Sequence, residues 1–315
     1  MSQANQRQCP VRGVWGVIVR FFRTVGTAYR RFGHTGSPLM AAAIAFYSVV
    51  CLGPLGILLS VALQTIFGKG SNTYTWVRSA VAEFGDVPAQ QVMNQVDGLL
   101  ARPDLFTSSA LGVLALVWAG LRLFETVERS LTEVWPGKIL RGFFGRKLIS
   151  LLMMAVAGVL LTMFVVANAF YARLHGLLQQ LHQQFPEIDP NIVAQAQPRV
   201  MVVFGFLLAL LAFSLMYKYM PVRPVPKRAA LAGAVCAAVL WQAASPVFLY
   251  FISRSAHNNA MYGGLAGVVV FSMWAFLGAQ VLLFGAHFAA AWQDVFLGGE
   301  GAAVAMEDAD SEAPE

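Results

Sequence analysis

The stretch MAAAIAFYSVVCLGPLGILLSVALQTIFG, Met40 to Gly68, decides the fold class because its 29 residues include no charged side chain. A helix of roughly 20 apolar residues crosses about 30 Å of hydrocarbon, so this stretch is long enough to span a membrane. Near its middle lie Gly53 and Pro54. A proline removes one helical hydrogen bond and clashes with the carbonyl of the preceding turn, so this pair predicts a kinked or broken first spanning helix.

The composition of the whole chain agrees with a membrane protein. Of its 315 residues, 57% are hydrophobic and 12% are charged, whereas soluble domains carry about 25% charged residues. We therefore predict an all-α membrane protein whose residues 38–292 form a bundle of six transmembrane helices. The predicted spans are approximately 38–67, 105–122, 148–172, 200–218, 229–253 and 262–290.

The distribution of basic residues predicts the orientation of this bundle. Six Lys or Arg residues precede the first span, six lie in the loop from Arg122 to Lys147, and four lie in the loop from Lys218 to Arg228. The other three loops share six. Because basic residues accumulate on the cytoplasmic side, both termini are predicted to be cytoplasmic. The first apolar run is too long for the hydrophobic part of a cleaved signal peptide, so we interpret it as a span.

The two flanks of the bundle differ in charge. Residues 1–37 form a basic arm in which Trp15, Val19 and Phe22 share one helical face and most arginines lie on the other. This pattern predicts an amphipathic helix in the cytoplasmic interface, with its arginines toward anionic headgroups. An equal alternative is that this basic flank only fixes the orientation of the chain in the membrane. Residues 293–315 form an acidic tail without lysine or arginine, which we predict to be disordered.

Several uncharged polar residues within the spans are candidates for lining a path or acting as a hinge. Gln280 and His287 are seven residues apart, and therefore two turns apart on one helix face. The alternative is structural, because prolines are common in membrane helices and amides join helices with about 0.6 kcal/mol on average. The candidate set is Tyr47, Ser48, Gly53, Pro54, Gln242, Gln280 and His287.

No motif of a catalytic or metal site occurs in the sequence. A Walker loop, HExxH, GxSxG and any cysteine pair with metal spacing are all missing. His175 and His182 are seven residues apart, about 10.5 Å along a straight helix, which is too far for one metal ion. We therefore predict a protein that is not an enzyme and has no catalytic residue, metal or cofactor. The net charge of +6 reflects membrane flanks, so no nucleic acid is expected as a partner.

Five segments in order resemble the YihY/BrkB family of bacterial inner-membrane proteins. They are AAAIAFYSVVCLGPL, LALVWAGLRLFETVERSLTEVW, RGFFGRKLISLLMM, YKYMPVRPVPKRAALAGAVCAAVLWQ and YGGLAGVVVFSMWAFLGAQVLLFGAHFAAAW. The resemblance implies a six-helix protein of the bacterial inner (plasma) membrane with cytoplasmic termini. It also brings an old ribonuclease label, against which the missing catalytic groups argue. The family often has an aromatic residue before the proline of the first helix, where this chain has Gly53.

Two functions follow as expectations. The first is a transporter or flux protein for a lipid-linked, amphipathic or small anionic solute of the cell envelope, because the broken first helix and the uncharged polar residues suit a passive path. The alternative is a non-transporting scaffold or envelope-biogenesis factor that binds anionic lipids or protein partners. In both cases the expected partners are anionic lipid headgroups at the cytoplasmic face. Assembly into a homo-oligomer is compatible with both functions.

Overall fold

The structure is a computed structural model that describes residues 14–51, 105–135, 142–184, 191–223, 225–255 and 266–296. Within these ranges all regular secondary structure is helical, which confirms the predicted all-α class. The described helices are α1 Val14–His34, α2 Ser37–Cys51, α3 Leu105–Val134, α4 Phe143–Gln184, α5 Asn191–Tyr219, α6 Lys227–Ser255 and α7 Ala266–Phe296.

Four helices of the described chain are long and apolar enough to cross a membrane. They coincide with the predicted third to sixth spans: Phe144–Phe164, Arg199–Tyr219, Lys227–Ile252 and Gly267–Phe296. The bent pair of α1 and α2 makes a fifth if the two helices together form one span. The helix α3, which contains the predicted second span, is not among the four. The structure thus supports four or five spans, and the count of six stays a prediction.

The helix α7 is the centre of the bundle. It packs against α6, α1 and α3, and α5 in turn packs between α4 and α6. Small residues allow α6 and α7 to approach closely: a Cβ on Gly233 would lie 2.6 Å from the carbonyl oxygen of Gly285 and 2.6 Å from the Cβ of Ala289. Small residues on facing turns are the usual means by which membrane helices gain close packing.

A buried tyrosine joins α5 to α7. The hydroxyl of Tyr217 donates a hydrogen bond of 2.7 Å to the carbonyl oxygen of Leu282, and the side chain of Tyr217 is fully buried. Its ring stacks on that of Phe213 at a centroid distance of 6.0 Å. Because a hydroxyl in an apolar interior needs a partner, this bond determines where the end of α5 lies along α7.

The helix α1 is attached to α7 through a narrow face. Thr24 and Ala28 are fully buried, and the ring of Phe21 makes an edge contact with that of Phe288 at 6.0 Å. In contrast, the predicted apolar face remains largely uncovered, since Val19 is 56% and Phe22 is 68% exposed. An apolar face left open on a helix of a membrane protein is suited to contact with lipid. The interfacial position of this helix stays a prediction.

Other predicted features fall outside the described residues. These include the kink at Gly53 and Pro54, the first outer loop and residues 297–315 of the predicted tail. The described chain does show a break in an apolar helical segment, but at Thr35 and Gly36, where α1 ends and α2 begins. This break lies at the predicted boundary between the arm and the bundle.

Candidate functional site

The junction between α1 and α2 is a sharp turn built on one glycine. The chain bends by 70° between Val19–His34 and Ser37–Cys51. Gly36 has a φ of +67°, a left-handed conformation that glycine adopts without strain. Its carbonyl oxygen accepts hydrogen bonds from the backbone N–H groups of Leu39 at 3.0 Å and Met40 at 3.2 Å. Gly36 thus ends one helix and begins the next.

A histidine from α7 contacts the hydroxyl groups on both sides of this glycine. The Nε2 atom of His287 lies 2.8 Å from the Ser37 hydroxyl and 3.1 Å from the Thr35 hydroxyl. The two hydroxyls are 2.9 Å apart, and that of Thr35 also donates to the carbonyl of Arg31 at 2.8 Å. We call Thr35, Ser37 and His287 the hydroxyl–histidine cluster.

The hydroxyl–histidine cluster is enclosed. His287 and Ser37 are each 1% exposed. The ring of Phe32 makes an edge contact with the imidazole at 5.9 Å. In either tautomer of His287, Nε2 has a hydroxyl as its hydrogen-bond partner. Nδ1 is buried and has no hydrogen-bond partner among the described residues. The bend between α1 and α2 is thus held by the buried contact of Ser37 with His287 and by the contacts of the half-buried Thr35.

An ion pair strengthens the same α1–α7 contact at its edge. The guanidinium of Arg31 lies 2.6 Å from the carboxylate of Asp294. Both side chains are about half exposed, at 43% and 56%, so the pair contributes at most about 1 kcal/mol. The buried hydroxyl–histidine cluster is therefore the more important of the two contacts for the bend.

The structure places the predicted site residues in separate surroundings. Of these, His287 is at the bend, where it contacts Thr35 and Ser37, which the sequence reasoning did not select. Tyr47 and Ser48 lie farther along α2; the Ser48 hydroxyl bonds the carbonyl of Ile44 within its own helix at 2.9 Å. In the described chain, no hydrogen bond joins these two residues to the candidate residues of α6 or α7. Gly53 and Pro54 lie outside the described residues.

The two predicted glutamines also lie apart from the bend. The side-chain amide of Gln242 donates to the carbonyl of Val202 on α5 at 3.2 Å, which is an interhelical contact. Gln280 is half-buried on α7. Near Gln242, Pro246 lies inside α6 and lacks the N–H that would bond the Gln242 carbonyl. The Ser245 hydroxyl bonds the carbonyl of Trp241 at 2.9 Å. Thus α6 runs on as one helix through Pro246, with the Gln242 carbonyl left without its usual helical donor.

A second polar cluster lies between α3 and α4. Glu128 is 3% exposed, and its carboxylate accepts from the guanidinium of Arg146 at 2.7 Å and from the Ser150 hydroxyl at 3.3 Å. One turn earlier, Glu125 pairs with Lys147 and, at 3.5 Å, with Arg122. These contacts satisfy both carboxylates and anchor the end of α3 to the start of α4.

The side chains at these sites fit structural or conformational roles better than a reaction. In the part of the chain that the structure describes, no three metal-ligating side chains come together. The hydroxyl–histidine cluster holds a bend, and the Glu128 cluster holds two helix ends. Thr35 and Ser37 could have been found from the string HTGSP, in which a glycine between hydroxyl residues precedes a proline, as at the junction of two helices. Nothing in the sequence indicated which helix would supply their partner.

The sequence profile of the family described as Virulence factor BrkB matches residues 28–308. This chain belongs to the BrkB family. The match includes the bend, both polar clusters and all the described helices except the first two thirds of α1. It also confirms the resemblance that the five sequence segments indicated.

Relatives of this BrkB protein carry the name UPF0761 membrane protein. One from Rhodospirillum rubrum is 28% identical over 80% of this chain and 55% of its own length. Another, from Kangiella koreensis, is 23% identical over 86% of this chain and 63% of its own length, and one from Tolumonas auensis is 24% identical over 84% of each chain. The chain thus spans just over half to under two thirds of the first two relatives. No solved structure matches.

Proposed function

We propose that this BrkB protein is a flux protein for a lipid-linked, amphipathic or small anionic envelope solute. It acts in the bacterial inner membrane with both termini in the cytoplasm, and it catalyses no reaction. The observation that carries the proposal is the break between α1 and α2. Two helices that together are apolar enough to form one span meet there at 70°.

A broken span is informative because hydrocarbon cannot satisfy free backbone groups. Irregular backbone at membrane depth persists only where protein or a wet cavity supplies hydrogen-bond partners. Here the glycine carbonyl caps α2, and the hydroxyls of Thr35 and Ser37 are bonded by His287. In several transporter folds, discontinuous helices of this kind form the binding site and move as gates.

The chemistry of the bend supports a passive path. Its hydroxyl groups are uncharged, and within the four apolar stretches that the structure describes the one acidic residue is Asp294, at the end of α7, where it is paired with Arg31. Ion-coupled pumps usually need an acidic group at membrane depth. A gradient-following solute needs only a hinge that opens and closes, and the Thr35–Ser37–His287 contacts are suited to control such a hinge.

A direct test measures lipid movement in vesicles that contain the purified full chain. The probe is phosphatidylglycerol with a fluorescent headgroup label, and its inner-leaflet fraction is followed by reduction from outside with dithionite. The proposal expects the protein to accelerate exchange between leaflets, and the T35A/S37A variant to change that rate severalfold. The matched control is Thr27→Ala, because this hydroxyl on α1 bonds only the carbonyl of Arg23 in its own helix. Exchange no faster than in protein-free vesicles rejects the lipid form of the proposal, and small anions such as chloride are then tested in the same vesicles.

The second candidate is a scaffold that binds anionic membrane surfaces without moving a solute. It is favoured by the exposed arginines Arg20, Arg23 and Arg30 along α1. In that case the T35A/S37A variant should bind anionic membrane surfaces as the unaltered protein does, whereas neutralising the three arginines should abolish this binding. If the protein is instead a flux protein, the T35A/S37A variant should have the larger effect.

A further inference from the structure

An apolar groove opens between α1, α6 and α7 and is not part of either polar cluster. It encloses about 800 Å³. Its walls include Phe21 from α1, Cys236 and Val239 from α6, and Trp292 from α7. The walls are almost entirely apolar, and Arg228 is the one charged residue that the described chain contributes to them.

The groove has a polar end and an apolar end. Arg228 lies in the first turn of α6, and the lining continues to Leu240, twelve residues later, which is about 18 Å along a helix. On the antiparallel helix α7, the lining runs from Phe296 at the helix end back to Phe288. The basic end is thus at the ends of two helices, and the apolar end points along the bundle.

Additional positive charge surrounds the basic end. The guanidinium of Arg20 lies 6.0 Å from the centre of the Phe296 ring, which lines the groove. Two basic residues from two helices, Arg228 and Arg20, therefore lie around one end of an apolar channel, whereas the side chains deeper in the groove are uncharged.

This arrangement matches one class of molecule. We propose that the groove binds an acyl chain of an anionic phospholipid, with the phosphate at Arg228 and near Arg20. An acyl chain in the groove gains little over an acyl chain in the bilayer, because both surroundings are apolar. Selectivity therefore comes from the headgroup, and basic pockets between membrane helices recognise anionic headgroups in this way. The inference goes beyond the proposed function, because binding at this groove needs no movement of solute.

The test uses Trp292 as a reporter inside the groove. The purified full chain is placed in phosphatidylcholine vesicles that contain either phosphatidylglycerol or phosphatidylcholine with dibrominated acyl chains, which quench tryptophan fluorescence on contact. The expected result is stronger quenching by brominated phosphatidylglycerol at equal mole fraction. The Trp292→Phe variant should lose this preference, because no other tryptophan whose side chain the structure describes lines the groove.

Two pairs of variants separate the headgroup and chain contacts. Arg228→Gln should lower the preference for phosphatidylglycerol about fivefold. Arg254→Gln, an exposed arginine near the opposite end of α6, should leave it unchanged. Val239→Phe should fill the groove and reduce quenching of Trp292, whereas Val247→Phe, on the same helix and 68% exposed, should not. Far-UV circular dichroism and elution volume confirm that each variant is folded.

Each remaining outcome overturns the proposal. Equal quenching by the two brominated lipids, or an unchanged preference in Arg228→Gln, excludes recognition of an anionic lipid here. A Val239→Phe variant that alters only the balance of monomer and dimer assigns the groove to a second copy of the chain. The T35A/S37A variant should keep the lipid preference, so failure of the flux proposal and failure of this one are distinguishable.

Discussion

The imidazole of His287 lies 2.8 Å from the hydroxyl of Ser37, although 250 residues separate them in the chain. This contact joins the start of α2 to the central helix α7 at the turn where Gly36 ends one helix and begins the next. The stability of the bend therefore depends on this side-chain contact and on the hydrogen bonds of Thr35 beside it.

The first prediction concerns the coupling between these two residues. Ser37→Ala should lower the free energy of unfolding by about 1 kcal/mol, because it removes one buried hydrogen bond. In the double variant of Ser37→Ala and His287→Gln, the loss of unfolding free energy should be smaller than the sum of the two single losses by about 0.5 kcal/mol or more, since the residues share one contact. Thermal unfolding in detergent measures each variant, with Thr27→Ala as control. Strict additivity would show that the contact contributes nothing to the folded state.

The second prediction concerns the backbone of the bend. Gly36→Ala should destabilise the protein by about 1 kcal/mol, because a left-handed conformation is unfavourable for residues with a Cβ. No atom lies within 4 Å of the added Cβ, so the effect is conformational rather than steric. Gly33→Ala, also with open space but inside α1, is the control and should not destabilise. Gly36→Asn should recover part of the loss, because asparagine tolerates this conformation. Equal melting temperatures for Gly36→Ala and Gly33→Ala contradict the prediction.

The third prediction concerns the buried carboxylate of α3. Glu128→Ala should cost about 2 kcal/mol, because it leaves Arg146 without its partner. The loss is smaller than the roughly 3–5 kcal/mol of a fully buried pair, because the Arg146 side chain is 33% exposed and retains some water. Glu133→Ala, an exposed glutamate on the same helix, should stay within about 0.5 kcal/mol. Chemical unfolding in mixed micelles compares them, and similar midpoints for the two variants count against a structural role for Glu128.

The fourth prediction concerns the close approach of α6 and α7. A Cβ on Gly285 would lie 2.7 Å from the Cβ of Ala237, so Gly285→Ala should destabilise by about 1–3 kcal/mol through overpacking. Gly158→Ala has open space around it on α4, and it should be neutral or stabilise by up to about 1 kcal/mol through helix propensity. The sign of the difference in melting temperature is the readout. If both variants shift the melting temperature in the same direction, the tight contact between α6 and α7 is not a determinant of stability.

Much of the fold could be predicted from hydropathy alone. The predicted third to sixth spans coincide with helices α4 to α7, because hydrocarbon requires about 20 apolar residues in a self-satisfied helix whatever the neighbours are. The site was less predictable. Of the candidate residues, His287 is in a buried polar cluster, whereas Ser48 and Gln242 bond backbone carbonyls.

The sequence by itself therefore determined the class of the protein and the position of its main apolar helices. These properties depend on local chemistry, namely the transfer of side chains into hydrocarbon. The break at Gly36 was known only from the structure. Only the tertiary structure decided that His287 meets Thr35 and Ser37, that Glu128 is buried against Arg146, and that Arg228 lies at the rim of an apolar groove. Such contacts depend on how helices rotate and cross, and those angles are set by the packing of small residues such as Gly233 and Gly285 on facing turns.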